Sequence, residues 1–446
     1  MKIAFILPAI GKKKGKRYIR SWQMEPLMIA VLKRLTPAEV PCVFFDDRLE
    51  AIDFHTNADV IAISVETHTA KRSYDIARRF KERGKIIIMG GYHPTIMPED
   101  ARPHADILMI GNAESVWGQM LEDIKNGCHL PEYRGESRMD YGLPDRSIYA
   151  DKQKKYLPIA LIEIGRGCRH NCEFCSIYSY YRRCYVHRRI EDIVEEIKQC
   201  KSRVYFLVDD SIFSDKVFAK ELFTEVAKLK ITWVTQVTLD VARDEELLHL
   251  MKKSGCEVIL IGFESIDPDN LKQMNKDWTA KIGERDELVE RIHKAGISIY
   301  ASFVFGFDYD NEQSFQNCLD FSMKHQFFVA AYNHLLAFPG TETYERIHRE
   351  GRLIYPKWWM EDEYCYGMIP YRPKLLDAAQ IGQLCKRYKK EFFKLSSIFI
   401  RSKALKKRTN RRFISFTFWV ANLMLFMEVD KRFGIQLGGY LDEKKK

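Results

Sequence analysis

Two rhythms of apolar and polar residues divide the chain. Between Lys2 and Gly127, short and nearly continuous apolar runs fall at Ile3–Leu7, Cys42–Phe45, Val60–Ser64, Lys85–Met89 and Ile107–Ile110. They alternate with stretches at Pro26–Arg34, Thr67–Arg83 and Ala113–Asn126, where apolar residues recur every three or four positions. Runs that are apolar at every residue suit strands covered on both faces, and the longer period suits crossover helices. Together they predict a doubly wound parallel sheet over residues 1–127. In such sheets ligands bind beyond the carboxyl ends of the strands, at the switch point.

Residues 128–156 carry Pro131, Gly135, Gly142 and Pro144 with no sustained period, so they read as a linker. From Leu157 the alternation restarts with strands at Ile159–Ile164, Val204–Val208, Thr232–Val237, Val258–Ile261, Ser298–Phe305 and Ala330–Ala337. Helices fit Ile190–Lys201, Lys216–Lys228, Glu245–Lys253, Lys281–Lys294 and Glu312–Lys324. Six strand–helix units predict a partial (β/α)6 barrel over 157–345, with its chemistry at the strand carboxyl ends. Over 346–446 the alternation stops, and Trp358-Trp359-Met360 with helical stretches such as Ala378–Phe393 predicts a mostly helical cap over the barrel mouth. The fold class is therefore α/β throughout, closed by helices.

Composition narrows this picture. The 446 residues are 46% hydrophobic and 13% aromatic, which excludes a disordered chain. Met1-Lys-Ile-Ala-Phe-Ile-Leu-Pro runs directly into strand-like sequence without a secretory signal, so a cytoplasmic location with reduced thiols is expected. Two basic runs, Lys12–Arg17 and Lys403–Arg412, contribute much of the net charge of +10; each alone reads as a solvated face.

Three of the eleven cysteines lie in Gly165-Arg-Gly-Cys168-Arg-His-Asn-Cys172-Glu-Phe-Cys175. The C-x3-C-x2-C spacing in a glycine-containing loop lets three thiolates hold one iron–sulfur cube, leaving one iron open. A zinc site would need a fourth ligand, and Cys184 lies nine residues on, beyond a Tyr/Arg run. Elsewhere on the predicted strand ends, Gly90-Gly91-Tyr92-His93-Pro94-Thr95 and Gly111-Asn112-Ala113-Glu114-Ser115 suit either close approach of a bulky ligand or ordinary turns.

C-x3-C-x2-C after a first barrel strand resembles the radical S-adenosylmethionine superfamily, and the two glycine turns resemble those of the cobalamin-binding domains fused to such enzymes. The likeness spans about Lys2–Gly351. Thr238-Leu-Asp-Val-Ala-Arg-Asp-Glu-Glu-Leu-Leu and Gly262-Phe-Glu-Ser look like the branch that includes hopanoid methylases. The resemblance implies that Cys168, Cys172 and Cys175 bind a [4Fe–4S] cluster whose fourth iron chelates S-adenosylmethionine. It places Phe174 at the adenine, and Asp209 and Asp210 at the methionine moiety. Asp240, Glu264 and Ser265 fall at ribose and carboxylate contacts, and Ser302 and Gly306 in the segment that approaches the adenine. Gly90, Gly91, His93, Thr95 and Glu114 match cobalamin-side turns. No catalytic residue beyond the cluster is implied.

One departure concerns the cobalt ligand. The Asp-x-His-x-x-Gly of mutase-type cobalamin domains is absent after the first strand, where Ala9-Ile-Gly-Lys-Lys stands, and Asp53-Phe-His55 before the third strand reads as a decoy. The implied activity is cobalamin-dependent methylation of an unactivated carbon in a small-molecule or lipid substrate, with an electron donor such as flavodoxin or ferredoxin and no nucleic acid. Its rivals are a radical cyclase or rearrangement enzyme, a methylthiotransferase, and a non-enzymatic iron–sulfur or cobalamin sensor. The methylthiotransferase needs three further N-terminal cluster cysteines, whereas only Cys42 and Cys128 precede the motif.

Phe413–Met427 is apolar but shorter than the roughly 20 residues of a spanning helix. A buried helix is the expectation. An interfacial helix at an anionic membrane, which would make the protein peripherally membrane-associated, is the second reading. Glu443-Lys-Lys-Lys446 reads as a soluble tail.

Overall fold

The computed structural model describes residues 1–16, 23–409 and 411–441. Arg17, Asn410 and the Glu443–Lys446 tail, singled out above in charged stretches, lie outside the described residues.

The first sheet contains β1 (Ile3–Leu7), β2 (Cys42–Asp46), β3 (Val60–Ser64), β4 (Ile86–Gly90), β5 (Ile107–Gly111) and β6 (Glu132–Gly135), all parallel, in the order β2-β1-β3-β4-β5-β6. The chain reverses direction across the sheet between β1 and β3, so a crevice opens beyond Leu7 and Ser64. Strands apolar at every position bury both faces: Ile3, Phe5 and Val60 pack on one side, Ala4, Ile6 and Ile61 on the other. The segment read as a linker does more than connect. It supplies β6, and Tyr149 is fully buried, donating its hydroxyl to the Pro26 carbonyl at 2.6 Å.

The second sheet runs β14-β13-β12-β11-β10-β7, again all parallel. Its strands are β7 (Ile159–Glu163), β10 (Val204–Val208), β11 (Trp233–Val237), β12 (Cys256–Glu264), β13 (Ser298–Phe305) and β14 (Val329–His334). Strands β7 and β14 remain its edges, so the barrel is partial, as expected from six units. Between β7 and β10 a small antiparallel pair, β8 (Gly165–Gly167) and β9 (Tyr185–His187), brackets the cysteine loop.

The C-terminal segment joins the two sheets as well as covering the barrel. Trp358 and Trp359 are fully buried among apolar residues of the first sheet, and Trp358 Nε1 donates to the Ala337 carbonyl beyond β14 at 3.1 Å. Trp359 Nε1 donates to Asp100 at 2.9 Å. Helix Ala378–Phe393 packs on the barrel, burying Tyr388 and Phe392 in its core.

Candidate functional site

The cysteine loop is shaped by its glycines. Gly167 sits at φ +90°, and a Cβ there would lie 1.9 Å from the Cys184 carbonyl. A Cβ on Gly165 would meet Asp209 and Tyr185 within 2.4 Å. Only glycine at both positions lets β8 lie against β9 and turn the following residues into the barrel mouth.

Three polar ties then fix the loop. The Gly167 N–H donates to Asp210 at 2.7 Å. Glu173, 5% exposed, accepts from Thr343 at 3.1 Å and from Arg346 at 2.9 Å, both on helix Glu342–Arg349. Arg166 holds Glu163 with two hydrogen bonds, at 2.7 and 2.8 Å, and reaches across to Glu114 of the first sheet at 2.6 Å. Glu173 and Arg346 escaped the sequence reading because nothing local links residues so distant in the chain.

Burial raises the Cys172 thiol to about 12 and also raises Cys175, with Lys276 opposing in both. Neutral thiols are the apo consequence, and a bound metal that takes up thiolate charge reverses it. Among the described residues no three His, Cys, Asp or Glu side chains converge as a single ion requires, the three loop cysteines included. The three loop cysteines supply one thiolate for each of three corners of a cubane. Lys276 is a third residue that sequence reasoning missed. It is 6% exposed, donates to the Gly262 carbonyl at 2.7 Å and pairs with Glu264 at 3.2 Å. Glu264 itself has φ +62°, at the register shift in β12.

The residues matched to S-adenosylmethionine contacts separate into two groups. Asp240, Glu264 and Ser302 stay partly exposed, Asp240 facing Arg169 at 3.5 Å and Ser302 opposite Gly262 in the sheet register. Phe174 also stays partly exposed and meets Phe307 edge-on at 5.9 Å.

Asp209, Asp210 and Ser265 hold hydrogen bonds within the protein. Asp209, 1% exposed, accepts from Tyr185 at 2.8 Å and from the Ser211 N–H at 2.6 Å, and burial raises its pKa to about 8. Burial likewise raises Asp210 to about 6. The Ser265 hydroxyl, 4% exposed, accepts from the Asp267 N–H at 3.1 Å and shapes a turn.

A cavity of about 900 Å³ lies between the two sheet edges. One wall is the switch point: Leu7–Gly11 after β1, Glu66, His68 and Thr69 after β3, and Gly91 and Tyr92 after β4. The other comprises Ser176, Ile177, Tyr180 and Tyr181 from the helix following Cys175, with Glu163 and Val208 of the barrel. A narrower cavity of about 210 Å³ adjoins it between β3, β4 and β5, lined by Gly90, Gly91, Gly111 and Glu114; Arg166 and Tyr180 line both. Gly91, at φ +106°, lies so near β3 that a Cβ would stand 2.9 Å from the Val65 carbonyl. Thr95 ties two turns together, donating to the Gly91 carbonyl at 2.8 Å and accepting from the Gly111 N–H at 3.0 Å.

His93 is the exception among the turn residues. It is fully buried away from both cavities, its ring nitrogens engaged by Thr67, Tyr74 and Asp100 at 3.4, 3.1 and 3.1 Å. Its ring packs the first sheet against Trp359, whose ring lies 5.4 Å away. His55 is exposed in the loop before β3, at the opposite edge from the cavity.

The cavity's electrostatics are set by unmet polar groups. His68 Nε2 and His334 Nε2 are buried without hydrogen-bond partners. Burial lowers their pKa values to about 4 and about 3. Tyr366 lies beside both rings, at 5.7 and 6.4 Å, and Phe338 and Trp358 complete an aromatic wall around His68. Glu66 caps the turn after β3, accepting from the Thr69 N–H, and burial raises its pKa. A cleft of this size, floored by the strand-end turns and lined by the unsatisfied His68 imidazole, fits a large flat cofactor bearing amides, with the side cavity available to its tail.

Comparison with known proteins supports this assignment. The radical SAM superfamily matches residues 162–322, and the B12 binding domain matches residues 24–119. A bacteriochlorophyllide d C-12(1)-methyltransferase of Chlorobaculum tepidum is 30% identical over 390 residues, covering 84% of this chain and 83% of the relative. A hopanoid C-2 methylase of Rhodopseudomonas palustris is 27% identical over 350 residues, covering 74% and 66%. The radical S-adenosylmethionine methyltransferase TsrM of Kitasatospora setae, solved with cobalamin and a [4Fe–4S] cluster, shares the fold with a TM-score of 0.61 at 15% identity, covering 78% of each chain.

Proposed function

The chain belongs to the radical S-adenosylmethionine superfamily, in the branch whose barrel follows a B12-binding domain, and we propose that it methylates an unactivated carbon of a large, rigid, apolar ring system. The enzyme class, the [4Fe–4S] cluster, S-adenosylmethionine and cobalamin follow from that membership. The observation that carries the reading is the single cavity walled by the cobalamin-domain turns on one side and the helix after Cys175 on the other. When bound, the cluster supplies the electron that cleaves S-adenosylmethionine to a 5′-deoxyadenosyl radical, and cobalamin supplies the methyl group.

The chain's own residues bind, orient and exclude water. Cys168, Cys172 and Cys175 would hold the cluster, on a loop pinned by Asp210, Glu173 and Arg166. Phe174, Asp240, Glu264 and Ser302 would receive the nucleoside and amino-acid parts of S-adenosylmethionine, and Lys276 would balance the carboxylates and thiolates there. Gly90, Gly91 and Glu114 would line the corrinoid cavity, with Thr95 holding its floor. Tyr92, stacked on Tyr180 at 6.3 Å, helps close the cavity to bulk water. The ring-system substrate class rests on the bacteriochlorophyllide and hopanoid relatives and on the aromatic wall at Phe338, Trp358 and Tyr366. A small iron–sulfur or flavin protein would supply electrons.

The test is anaerobic reconstitution with iron, sulfide and cobalamin, followed by incubation with methyl-deuterated S-adenosylmethionine. Bacteriochlorophyllide d is the first probe and a hopene the second. The expected products are 5′-deoxyadenosine, S-adenosylhomocysteine and a probe heavier by one labelled methyl group. Cys172→Ala should lose cluster absorbance while keeping its circular dichroism. Formation of 5′-deoxyadenosine without methylation of either probe refutes the substrate class; failure to retain any corrinoid refutes methyl transfer.

A further inference from the structure

The last two helices present a surface that methyl transfer does not use. Helix Leu395–Arg408 and helix Arg412–Arg432 each have one side docked on the barrel. Ile398, Leu405, Ile414 and Phe418 form a buried cluster against Phe328. The Arg401 guanidinium is buried, donating to the Phe328 carbonyl and to Asn422 at 3.2 and 2.9 Å. The opposite side is also apolar and uncovered. Phe416 is 66% exposed, Leu395 61%, Met427 59%, Phe399 52% and Ile400 48%. Phe416, Val420 and Met427 fall on one stripe at helical spacing. Arg412 and Lys431 extend that stripe at its two ends, about 29 Å apart at 1.5 Å per residue. A helix apolar all round belongs in a core or in lipid, and here the core takes only one side.

Charge identifies the occupant. Residues 395–427 contain seven Lys or Arg and no Asp or Glu. Of these, Lys403, Lys406, Lys407, Arg411 and Arg412 are exposed. A bare basic face would suit any polyanion, but exposed Phe, Leu, Ile and Met between the cations suit acyl chains beneath anionic headgroups. Helix Arg412–Arg432 is long and apolar enough to cross a membrane, but its docked side, where Asn422 is buried and donates to the Phe328 carbonyl at 3.1 Å, lies along the barrel, which suits a helix lying on a bilayer.

We propose that this helix pair seats the protein flat on an anionic lipid bilayer, its apolar stripe in the headgroup boundary and its lysines and arginines on phosphates. The inference is independent of the methyl-transfer reading, because it needs neither cofactor nor substrate.

The experiment is flotation of the full-length reconstituted protein with phosphatidylcholine vesicles, with and without about a third phosphatidylglycerol, at low and high salt. Binding to the anionic vesicles, weakened by salt and accompanied by a blue shift of tryptophan emission from Trp419, is expected. Each cation near the surface should contribute about fivefold, so Lys403→Glu/Lys406→Glu/Lys407→Glu should weaken binding at least about a hundredfold. Phe416→Ser/Met427→Ser should abolish the blue shift and release the protein, with circular dichroism confirming that both variants stay folded. No binding to anionic vesicles, or binding that survives both variants, overturns the proposal. So does a dimer by light scattering that Phe416→Ser/Met427→Ser dissociates, since a second copy would then be the occupant.

Discussion

Replacing Arg166 should weaken the docking of the two sheets more than any other single polar change. Its guanidinium makes two hydrogen bonds to Glu163 on β7 and one to Glu114 after β5, all between 2.6 and 2.8 Å. The three side chains are 15%, 14% and 6% exposed, so water screens them little. Arg166→Met leaves two buried carboxylates, one of which keeps only the Tyr141 hydroxyl, at 2.7 Å, as a nearby donor. Removing one partner of a buried pair costs about 3–5 kcal/mol. Glu114→Gln keeps the shape and an acceptor and leaves the Glu163 pair intact, so about 1–2 kcal/mol is expected. The double variant should cost less than the sum of the singles by at least about 1 kcal/mol, because the interdomain bond can be lost only once. The assay is urea unfolding followed by circular dichroism and tryptophan fluorescence, in the full chain without cofactors. Arg166→Met should also separate the two signals, since Trp117 reports the first sheet and Trp233 the second. A loss below about 1 kcal/mol with additive singles would refute the bridge.

Two further outcomes follow from the cavity. Gly91→Ala introduces a Cβ 2.9 Å from the Val65 carbonyl at φ +106°, a strain of about 1–3 kcal/mol; corrinoid retained after desalting should fall several-fold, and wild-type retention would disprove the turn's role as cavity floor. Burial keeps His68 and His334 neutral, their pKa values lowered from 6.5 to about 4 and about 3. The unfolded chain therefore binds protons that the folded one refuses, so stability is full above pH 6.5 and declines as pH falls toward 4. His68→Gln/His334→Gln should flatten that decline in pH-dependent urea titrations, and an unchanged slope would show that the imidazoles are hydrated.

The sheets and the cluster motif were legible because they are local signals. Val204–Val208, Ser298–Phe305 and helix Ala378–Phe393 have the bounds that their apolar periods predict. β6 was hidden because Glu132-Tyr-Arg-Gly has no apolar alternation; it forms by adding to the edge of β5. Partner choice was the harder quantity. Two adjacent carboxylates after a strand do not show whether they face ligand or protein, and Asp209 and Asp210 turn to Tyr185 and Gly167. His93 sits in a turn that meets the cavity, yet its ring points behind the sheet, a direction that spacing does not encode. Lys276, in the turn after helix Pro268–Gln273, and Arg346, in helix Glu342–Arg349, acquire meaning only from Glu264 and Glu173, which the fold brings to them.

The loop that carries the cysteines is held from every part of the chain. Arg166 ties it to the first sheet, Asp210 to the second, and Glu173 to the helix that begins the C-terminal region. Three anchors within eight residues make the loop a junction whose geometry depends on all segments being docked. The same ties are charged, and they surround thiols that burial keeps protonated without metal. Binding a cluster converts those thiols to thiolates, and Lys276 with the metal must then balance more negative charge among Glu264, Asp240 and Glu163. Cluster assembly and domain docking are therefore coupled through one set of side chains. A chain that cannot bring its first sheet to Arg166 also lacks the cavity that both sheet edges wall.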